Sequence, residues 1–364
     1  MQSVSSKLRC HLGCRSAVSR PVSKNREQSE AVSARPRAAD VAARAGVSES
    51  AVSRTFREGS VSAHVRARVQ AAARELGYRP NALAQTLLSR RSNVIAILMT
   101  TNTNSHFPEV LSELSHAADA HRLRVMLFTV DDPSTVSDVI DQILAYQVDA
   151  VLSLTELGAA DARILESQGV ALVLYNRMRA AFPANLVSCD HCEAGRVLGA
   201  YLLELGHRSF GMIAGPEFSS LAIDRAKGFT VALNAARVNS DSLPMQVGDF
   251  GYESGRAAAR VILEADPGIT ALICINDLMA IGAIDEATMH GRRVPEDLSV
   301  ASFDGVKAGT WDRYRLTTMQ QPLPQLAQAA LETITRLLAK PDLARETRLL
   351  ACTLTIGNST QALT

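Results

Sequence analysis

The chain has 364 residues, of which 47% are hydrophobic and 21% charged, with a net charge of +1. This is an ordinary composition for a globular protein, and the chain is too long for one compact core, so two or three domains are expected. No apolar run reaches the roughly 18 to 20 residues that a membrane span requires, which excludes an integral membrane protein.

The charge is unevenly distributed along the chain. Residues 1–37 hold eight basic and two acidic side chains, residues 38–92 hold nine and four, and the rest of the chain is acidic overall. Lys and Arg gain most where they release counterions from phosphates, so the basic front predicts contact with a polyanion. The composition of residues 1–37 predicts a disordered extension, although a transit peptide or a translation start placed too early would look similar.

Residues 40–56, DVAARAGVSESAVSRTF, carry two short amphipathic patterns with helical spacing. Gly46 supplies a stop for the first helix and Ser48 an N-cap for the second. The small side chains of Ala42 and Ala45 allow the two helices to cross closely. Two short helices joined by a Gly-containing turn predict a helix-turn-helix.

The outward face of the second helix carries short polar side chains and guanidinium groups, which suit base edges and phosphates. An αα-hairpin with a solvated polar face is the alternative that this pattern leaves open. Residues 62–78 predict a third helix, capped by Ser62 and ended by Gly77. Residues 79–92, RPNALAQTLLSRRS, predict a further short helix with Pro80 in its first turn.

Residues 40–56 together with 61–87, VSAHVRARVQAAARELGYRPNALAQTL, closely resemble the amino-terminal headpiece of the LacI/GalR family of bacterial transcription regulators. The resemblance implies a three-helix DNA-binding headpiece, residues 38–78, and a hinge helix or linker, residues 79–92, that folds on DNA. The implied DNA-binding residues are Ser48, Glu49, Ser50, Ser53, Arg54, Arg57, Asn81, Ala84 and Leu87.

Among these residues the resemblance implies three kinds of contact. Glu49, Ser50 and Arg54 are the expected base contacts. Leu87 occupies the position of the family's leucine wedge, which enters the minor groove and bends the duplex; a linker residue packed on its own body is the alternative. Arg57 stands where the family commonly has Asn, so a phosphate contact is expected there but the family's geometry does not carry over.

The body, residues 93–364, alternates apolar runs with helical patterns. Seven runs have the character of strands buried on both faces: 94–99, 124–130, 150–154, 171–175, 210–215, 269–275 and 298–303. Strands alternating with helices predict parallel, doubly wound sheets, and seven runs predict two α/β lobes. Family similarity continues here and implies a periplasmic-binding-protein-like architecture, with lobes of about 93–190 and 191–318 and the chain crossing back after 319.

Ligands of open α/β sheets bind beyond the carboxyl ends of the strands, so an effector site is expected in the cleft between the lobes. Six candidates follow predicted strands: His106, Phe107, Asn176, Asn276, Asp277 and Asp304. Arg225 and Phe250 join them by family correspondence. This set suits a small polyhydroxylated or anionic ligand. The alternatives are that Asp277 caps a helix, Phe250 belongs to the core, and Arg225 pairs with an acid such as Asp224 or Asp304.

Two other classes of protein compete with a regulator. For an enzyme, the sequence lacks the GxxxxGK[ST], GxGxxG, GxSxG and HExxH motifs. A transport-type binding protein would share the body but carry an export signal instead of a headpiece. Cys189 and Cys192 have the spacing of half a zinc site without a second half, so neither a metal nor a cofactor is expected.

The sequence as a whole therefore predicts a cytoplasmic bacterial repressor, bound at the nucleoid and without membrane contact. We expect a homodimer on a partly palindromic double-stranded operator, controlled by a small polar metabolite such as a sugar or an organic acid. No heptad run follows Ile356, which makes a coiled-coil tetramer unexpected.

Overall fold

The computed structural model describes residues 36–56, 60–79, 91–100, 106–132, 135–177 and 182–363. The chain divides between Asn81 and Ala82 into two compact units, the headpiece and the body. The predicted extension, apart from its last two residues, and the greater part of the predicted hinge lie outside the described residues.

The headpiece contains three helices: α1 (Ala38–Ala45), α2 (Glu49–Phe56) and α3 (Ala63–Leu76). Gly46 follows α1 with a left-handed φ of 62°, and the Ser48 hydroxyl accepts from the N–H of Ala51, in the first turn of α2, at 3.3 Å. The Ser62 hydroxyl caps α3 in the same way, and Gly77 ends it with a φ of 65°. The predicted helix boundaries are confirmed, because each was set by local capping chemistry.

Small side chains fill the space between these helices. The buried cluster consists of Val41, Ala42, Ala45, Val52, Val69, Ala72 and Ala73. Two arginines of α3 reach its neighbours: Arg68 donates to the carbonyl of Ala45, and Arg66 to that of Thr55 at 3.1 Å. Cations at the carbonyl ends of α1 and α2 stabilise both helices and fix their angle to α3.

Lobe 1 of the body is a six-stranded parallel sheet in the order β11-β5-β4-β3-β1-β2. The strands are β1 (Val94–Thr100), β2 (Arg124–Val130), β3 (Ala150–Ser153), β4 (Ala171–Tyr175), β5 (Asn185–Cys189) and β11 (Thr347–Leu350). The helices are α4 (Phe107–Ala120), α5 (Val136–Ala145), α6 (Ala159–Ser167) and α11 (Leu323–Ala339). Helices α4 and α11 share one hydrophobic cluster with the sheet, and α5 and α6 share another, so both faces are covered.

Lobe 2 is a six-stranded sheet in the order β12-β10-β9-β8-β6-β7, parallel except for the β12–β10 pair. The strands are β6 (Phe210–Ala214), β7 (Met245–Val247), β8 (Ala271–Cys274), β9 (Ser299–Asp304), β10 (Thr317–Gln320) and β12 (Thr353–Thr355). The helices are α7 (His191–Glu204), α8 (Ser220–Ala235), α9 (Tyr252–Ala265) and α10 (Asp277–Met289), with a short 3-10 turn at Lys307–Thr310.

The chain passes between the lobes three times. The first crossing lies at Asp190, and the second follows β10, which ends at Gln320. The third lies between β11 and β12 and was not predicted, because these short strands carry no apolar run. The predicted fold class, a helical headpiece with a two-lobed α/β body, is confirmed. None of the helices described in the structure combines the length and the apolar character needed to cross a bilayer.

Candidate functional site

Helix α2 separates an inner apolar face from an outer polar one. Ala51, Val52 and Thr55 are buried against the other two helices. On the opposite side Glu49, Ser50 and Arg54 are exposed, and Ser53 is half-buried. The helix therefore exposes the predicted base-contacting side chains to solvent, while its inner face packs against the other two helices.

Three of the predicted DNA-binding side chains also have local partners. The Ser48 hydroxyl caps α2 and lies 2.9 Å from the Ser50 hydroxyl, and the Arg54 Nε donates to the Ser50 carbonyl at 3.3 Å. These bonds pre-orient the side chains without covering them. Arg57, Asn81, Ala84 and Leu87 lie outside the described residues.

The body contains a cavity of about 160 Å³ between the carboxyl ends of the two sheets. Six of the eight predicted effector residues line it: His106, Phe107, Asn176, Arg225, Phe250 and Asp304. A wider groove of about 1090 Å³ lies at the amino ends of the lobe 1 strands, beside Ser92, Asp149 and Asn185. Parallel α/β sheets bind ligands at the carboxyl ends of their strands, so the smaller cavity is the candidate site.

Asn276 and Asp277 do not reach this cavity, which corrects the expectation from their position after a strand. The Asn276 side chain caps α10 by accepting from the Met279 N–H at 3.1 Å and donates to the Phe250 carbonyl at 2.9 Å. Asp277 is also fully buried, and neither of the two residues is part of the cavity lining. The alternative in which Asp277 itself caps the helix is not realised, because Asn276 takes that role.

The Asp277 carboxylate instead ties three segments of lobe 2 together. It accepts bonds from the hydroxyls of Ser302 at 2.5 Å and Thr318 at 2.7 Å, and from the N–H groups of Gly305 at 2.8 Å and Val306 at 2.7 Å. Burial raises the pKa of Asp277 to about 7, and the nearby Asp304 carboxylate adds to that rise against the lowering effect of the hydrogen bonds. Asp277 thereby fixes the turn that follows β9 and carries Asp304.

Arg225 and Asp304 form a buried ion pair at the floor of the cavity. Their Nη2 and Oδ1 atoms are 2.8 Å apart, and the two side chains are 1% and 4% exposed. The Arg225 Nη1 also donates to the Ile275 carbonyl at 2.7 Å, and its guanidinium lies 5.0 Å from the centre of the Phe303 ring. The alternative of an acidic partner for Arg225 is realised at Asp304, within the cavity lining itself.

Glycines bring Arg225 to this position. Helices α7 and α8 approach so closely that a Cβ at Gly195 would lie 2.2 Å from the Arg225 carbonyl oxygen, and one at Gly228 1.9 Å from that of Cys192. Both distances are far below van der Waals contact. Only glycine fits at the two points where α7 and α8 cross. The contact between the two helix backbones therefore determines how deeply the Arg225 guanidinium is buried.

Three cavity residues hold a left-handed backbone although none is glycine. The φ angles are 56° at Asn176, 71° at Phe250 and 117° at Asp304. Asn176 and Asp304 stand at the carboxyl ends of β4 and β9, where this conformation directs their side chains out of the strand repeat. Such strained residues concentrate at binding sites, because the surrounding structure holds them there.

The structure adds lining residues that the sequence analysis missed: Glu156, Tyr175, Arg177, Phe218 and Gln321. Among the described groups, the Tyr175 hydroxyl has no hydrogen-bond partner, although the side chain is 1% exposed. Burial raises the pKa of Tyr175, so the phenol is neutral. The sequence contained signals for two of these residues. Tyr175 is the last residue of the predicted strand 171–175, and Gln321 lies in residues 316–322, LTTMQQP, which resemble the family.

Opposite charges are paired at the cavity. Arg177 Nε lies 3.4 Å from Glu156 Oε1, which also accepts from the Ser220 hydroxyl at 3.0 Å, and Arg225 pairs with Asp304. Three phenylalanines supply apolar surface: Phe107, Phe218 and Phe250. The cavity therefore suits a compact ligand with an apolar face and hydrogen-bonding groups.

Metal-binding side chains do not converge in the part of the chain that the structure describes. No group of three or more His, Cys, Asp or Glu residues there could hold an ion. Cys189, Cys192, Cys274 and Cys352 are free thiols.

Comparison with known proteins gives two family matches. Residues 38–81 match the model described as bacterial regulatory proteins of the lacI family, and residues 200–360 match a periplasmic binding protein-like domain. The HTH-type transcriptional repressor CytR of Escherichia coli K12 is 31% identical over 327 residues, which are 89% of this chain and 96% of CytR.

Two solved structures have the same architecture. The Lac repressor dimer bound to operator and the anti-inducer ONPF has a TM-score of 0.82 at 26% identity, covering 90% of this chain and all of that one. The complex of the regulator CelR with cellobiose has a TM-score of 0.69 at 27% identity, covering 89% of this chain and all of that one. The chain belongs to the LacI/GalR family of bacterial transcription regulators.

Proposed function

We propose that this protein is a homodimeric repressor that binds a partly palindromic operator. Binding of a small polar metabolite raises or lowers its affinity for that operator. The observation that carries the proposal is the combination, in one chain, of a helix-turn-helix with a polar outer face and a closed cavity lined by hydrogen-bonding and aromatic side chains. It acts at the nucleoid in the cytoplasm. An enzyme or an exported transport protein would have no use for the exposed face of α2.

On the DNA side, the exposed end of α2 enters the major groove. Arg54 suits guanine or phosphate, and Glu49 and Ser50 suit neighbouring base edges. The Ser48 hydroxyl is engaged in capping, so residue 48 contributes chiefly its position at the helix N-terminus, which favours a phosphate. Ser53, Arg57, Asn81, Ala84 and Leu87 remain predicted contacts, with Leu87 as the minor-groove wedge.

A duplex selected from a random pool, measured by mobility shift, tests this assignment. Arg54→Ala should weaken binding to the selected duplex by about 1 to 3 kcal/mol, because one specific contact is lost. Arg74→Ala, which removes an exposed arginine of the same charge from α3, is the matched control. If both variants lost the same affinity for the duplex, α2 would contribute only nonspecific electrostatic attraction. If the selection enriched no sequence at all, the proposal would be refuted.

On the metabolite side, we propose an uncharged, hydroxyl-bearing ligand of the sugar type. The paired charges of the cavity favour such a ligand over an organic acid. In the ion pairs described above each arginine already has a carboxylate partner, so neither is left to neutralise an added anion. The aromatic rings would cover its apolar face, and Asn176, Asp304 and the Tyr175 hydroxyl would meet its polar edge. The relative CelR was solved with cellobiose, which supports this class.

A thermal-shift screen tests this class with cellobiose, glucose, ribose and sugar phosphates. A ligand that binds the native state raises the melting temperature of the body, and it should change operator affinity in the same concentration range. Phe250→Ala should abolish the shift, whereas Met289→Ala, at a side chain 70% exposed, should preserve it. Stabilisation by sugar phosphates but not by neutral sugars would contradict the proposed ligand class.

A further inference from the structure

Five buried side chains close a ring of hydrogen bonds at the junction of the two lobes. We call it the junction ring; its members are Asn176, His191, Arg225, Asp304 and Gln321. Its bonds are His191 Nε2 to Asn176 Oδ1 at 2.9 Å, Asn176 Nδ2 to Gln321 Oε1 at 2.7 Å, and Gln321 Nε2 to Asp304 Oδ1 at 2.7 Å. Arg225 Nη2 to Asp304 Oδ1 at 2.8 Å and Arg225 Nε to His191 Nδ1 at 3.3 Å complete it.

The donors and acceptors of the ring determine one another. The Arg225 Nε can only donate, so His191 Nδ1 must accept and carry no proton. The proton of the neutral imidazole is then on Nε2, which donates to the amide oxygen of Asn176. That leaves the Asn176 amide nitrogen to donate to Gln321, whose own amide nitrogen donates to Asp304. Every bond is satisfied by a single arrangement of protons.

The surroundings of His191 keep its ring neutral. The side chain is fully buried, and burial lowers its pKa well below the usual value, with further lowering by the Arg225 and Arg177 charges and by His106. A proton on Nδ1 would face the guanidinium of Arg225 directly. Protonation would therefore break the ring at that bond.

The ring spans the body at the points where the chain changes lobe. Asn176 follows β4 of lobe 1, while Arg225 and Asp304 belong to α8 and β9 of lobe 2. His191 and Gln321 stand on the first and second crossings and join these two groups. A change in the angle between the lobes must stretch or break bonds made by these two residues.

We propose that His191 and Gln321 are positioning residues of the effector site, which hold the Arg225 guanidinium and the angle between the lobes through the junction ring. His191 does not line the cavity, and Gln321 lines it but acts in this role through its bonds to Asn176 and Asp304. Asn176 also lines the cavity, so a ligand that binds to its side chain acts directly on the ring. The link to an effector rests on the proposed function, whereas the ring itself is tested with the protein alone.

The first test is the tautomer of His191, read by ¹⁵N NMR of the full chain labelled at histidine and assigned with His191→Gln. We expect a neutral ring with its proton on Nε2 from pH 8 to pH 5.5. A proton on Nδ1, or an imidazolium at pH 6, would overturn the proposal. The measurement requires neither effector nor DNA, so its outcome is independent of the proposed function.

The second test is hydrogen exchange in variants that keep or remove the bonds. His191→Phe fills the space without hydrogen bonds and should speed exchange at residues 188–191, 320 and 321 by roughly tenfold or more. His191→Gln can accept from Arg225 and donate to Asn176, and it should restore protection to within about twofold. Gln321→Leu should have the same effect on exchange as His191→Phe. If His191→Phe does not fold, Gln321→Leu serves as the test in its place.

His207→Phe is the matched control for this test. His207 is also buried, and its ring nitrogens lie 3.0 Å from Thr270 Oγ1 and 3.1 Å from the Gln361 carbonyl, within lobe 2. Its loss should speed exchange around these partners and leave the crossings protected. If His191→Phe and His191→Gln exchange equally at the crossings, or if His207→Phe exposes the crossings to the same degree, the positioning role is refuted.

Discussion

The headpiece and the body hold polar groups in opposite ways. In α2 the polar side chains lie on the surface, behind which a cluster of seven Ala and Val residues is buried. In the body, polar side chains such as Arg225 and Asp304 are buried between two lobes whose clusters contain Leu, Ile and Phe. A side chain on the outer face of α2 can therefore be exchanged at little cost in stability, whereas a buried polar residue of the cavity cannot.

Core size separates the two units as well. A three-helix unit of about 40 residues buries a small share of its surface and is correspondingly marginal, whereas a body of about 280 residues buries far more. Substitutions in the headpiece should thus unfold it without disturbing the body. Four substitutions or conditions test this difference, from the largest expected effect to the smallest.

Arg225→Ala should destabilise the body by about 3 to 5 kcal/mol, because it leaves the Asp304 carboxylate buried without its cation. Urea unfolding followed by tryptophan fluorescence measures the change through Trp311 of lobe 2. Arg313→Ala, which breaks an ion pair of 2.7 Å with Asp285 at an arginine 64% exposed, is the control and should cost much less. Equal costs would contradict the distinction between buried and exposed pairs.

Val52→Ala should destabilise the headpiece by about 2 kcal/mol, because two methyl groups leave a fully buried position in a small cluster. Hydrogen exchange of residues 38–79 would rise while exchange in the body stays unchanged. The same change at Val231, which is 45% exposed, should affect neither unit. Simultaneous loss of protection in the body would show that the two units do not unfold independently.

Acidification should reduce the contribution that the neutral ring of His191 makes to the stability of the body. The pKa of His191 is lower in the folded chain than in the unfolded one, so below about pH 6.5 the unfolded chain binds a proton that the folded chain excludes. Stability then falls with falling pH by at most about 1.4 kcal/mol per unit for this residue. His191→Gln should remove that part of the slope; an unchanged slope would mean that other groups govern it.

Ser62→Ala should destabilise the headpiece by about 1 kcal/mol, because the hydroxyl that accepts the Val65 N–H at the start of α3 is lost. Ser62→Asp keeps an acceptor there and should retain most of the stability. Thermal unfolding monitored at headpiece amide signals separates this change from the body. A full loss in Ser62→Asp would show that the hydroxyl does more than cap the helix.

The same difference between units explains which features the sequence could predict. The headpiece boundaries follow from Gly46, Ser62 and Gly77, whose effects extend over a single helical turn. The seven long apolar runs of the body correspond to the parallel strands β1, β2, β3, β4, β6, β8 and β9. The other five strands, β5, β7, β10, β11 and β12, were not predicted because none of them carries a long apolar run.

The sequence by itself determined the helix-turn-helix, the two α/β lobes and the strand ends from which the cavity is built, because periodicity and capping are local properties. Only the tertiary structure decided which polar side chains at those strand ends meet at the cavity. It directed Asn176 and Asp304 into the junction ring and turned Asp277 into the interior of lobe 2. The reason is physical: the partners that satisfy these buried groups lie up to 145 residues away in the chain, as in the bond from Asn176 to Gln321.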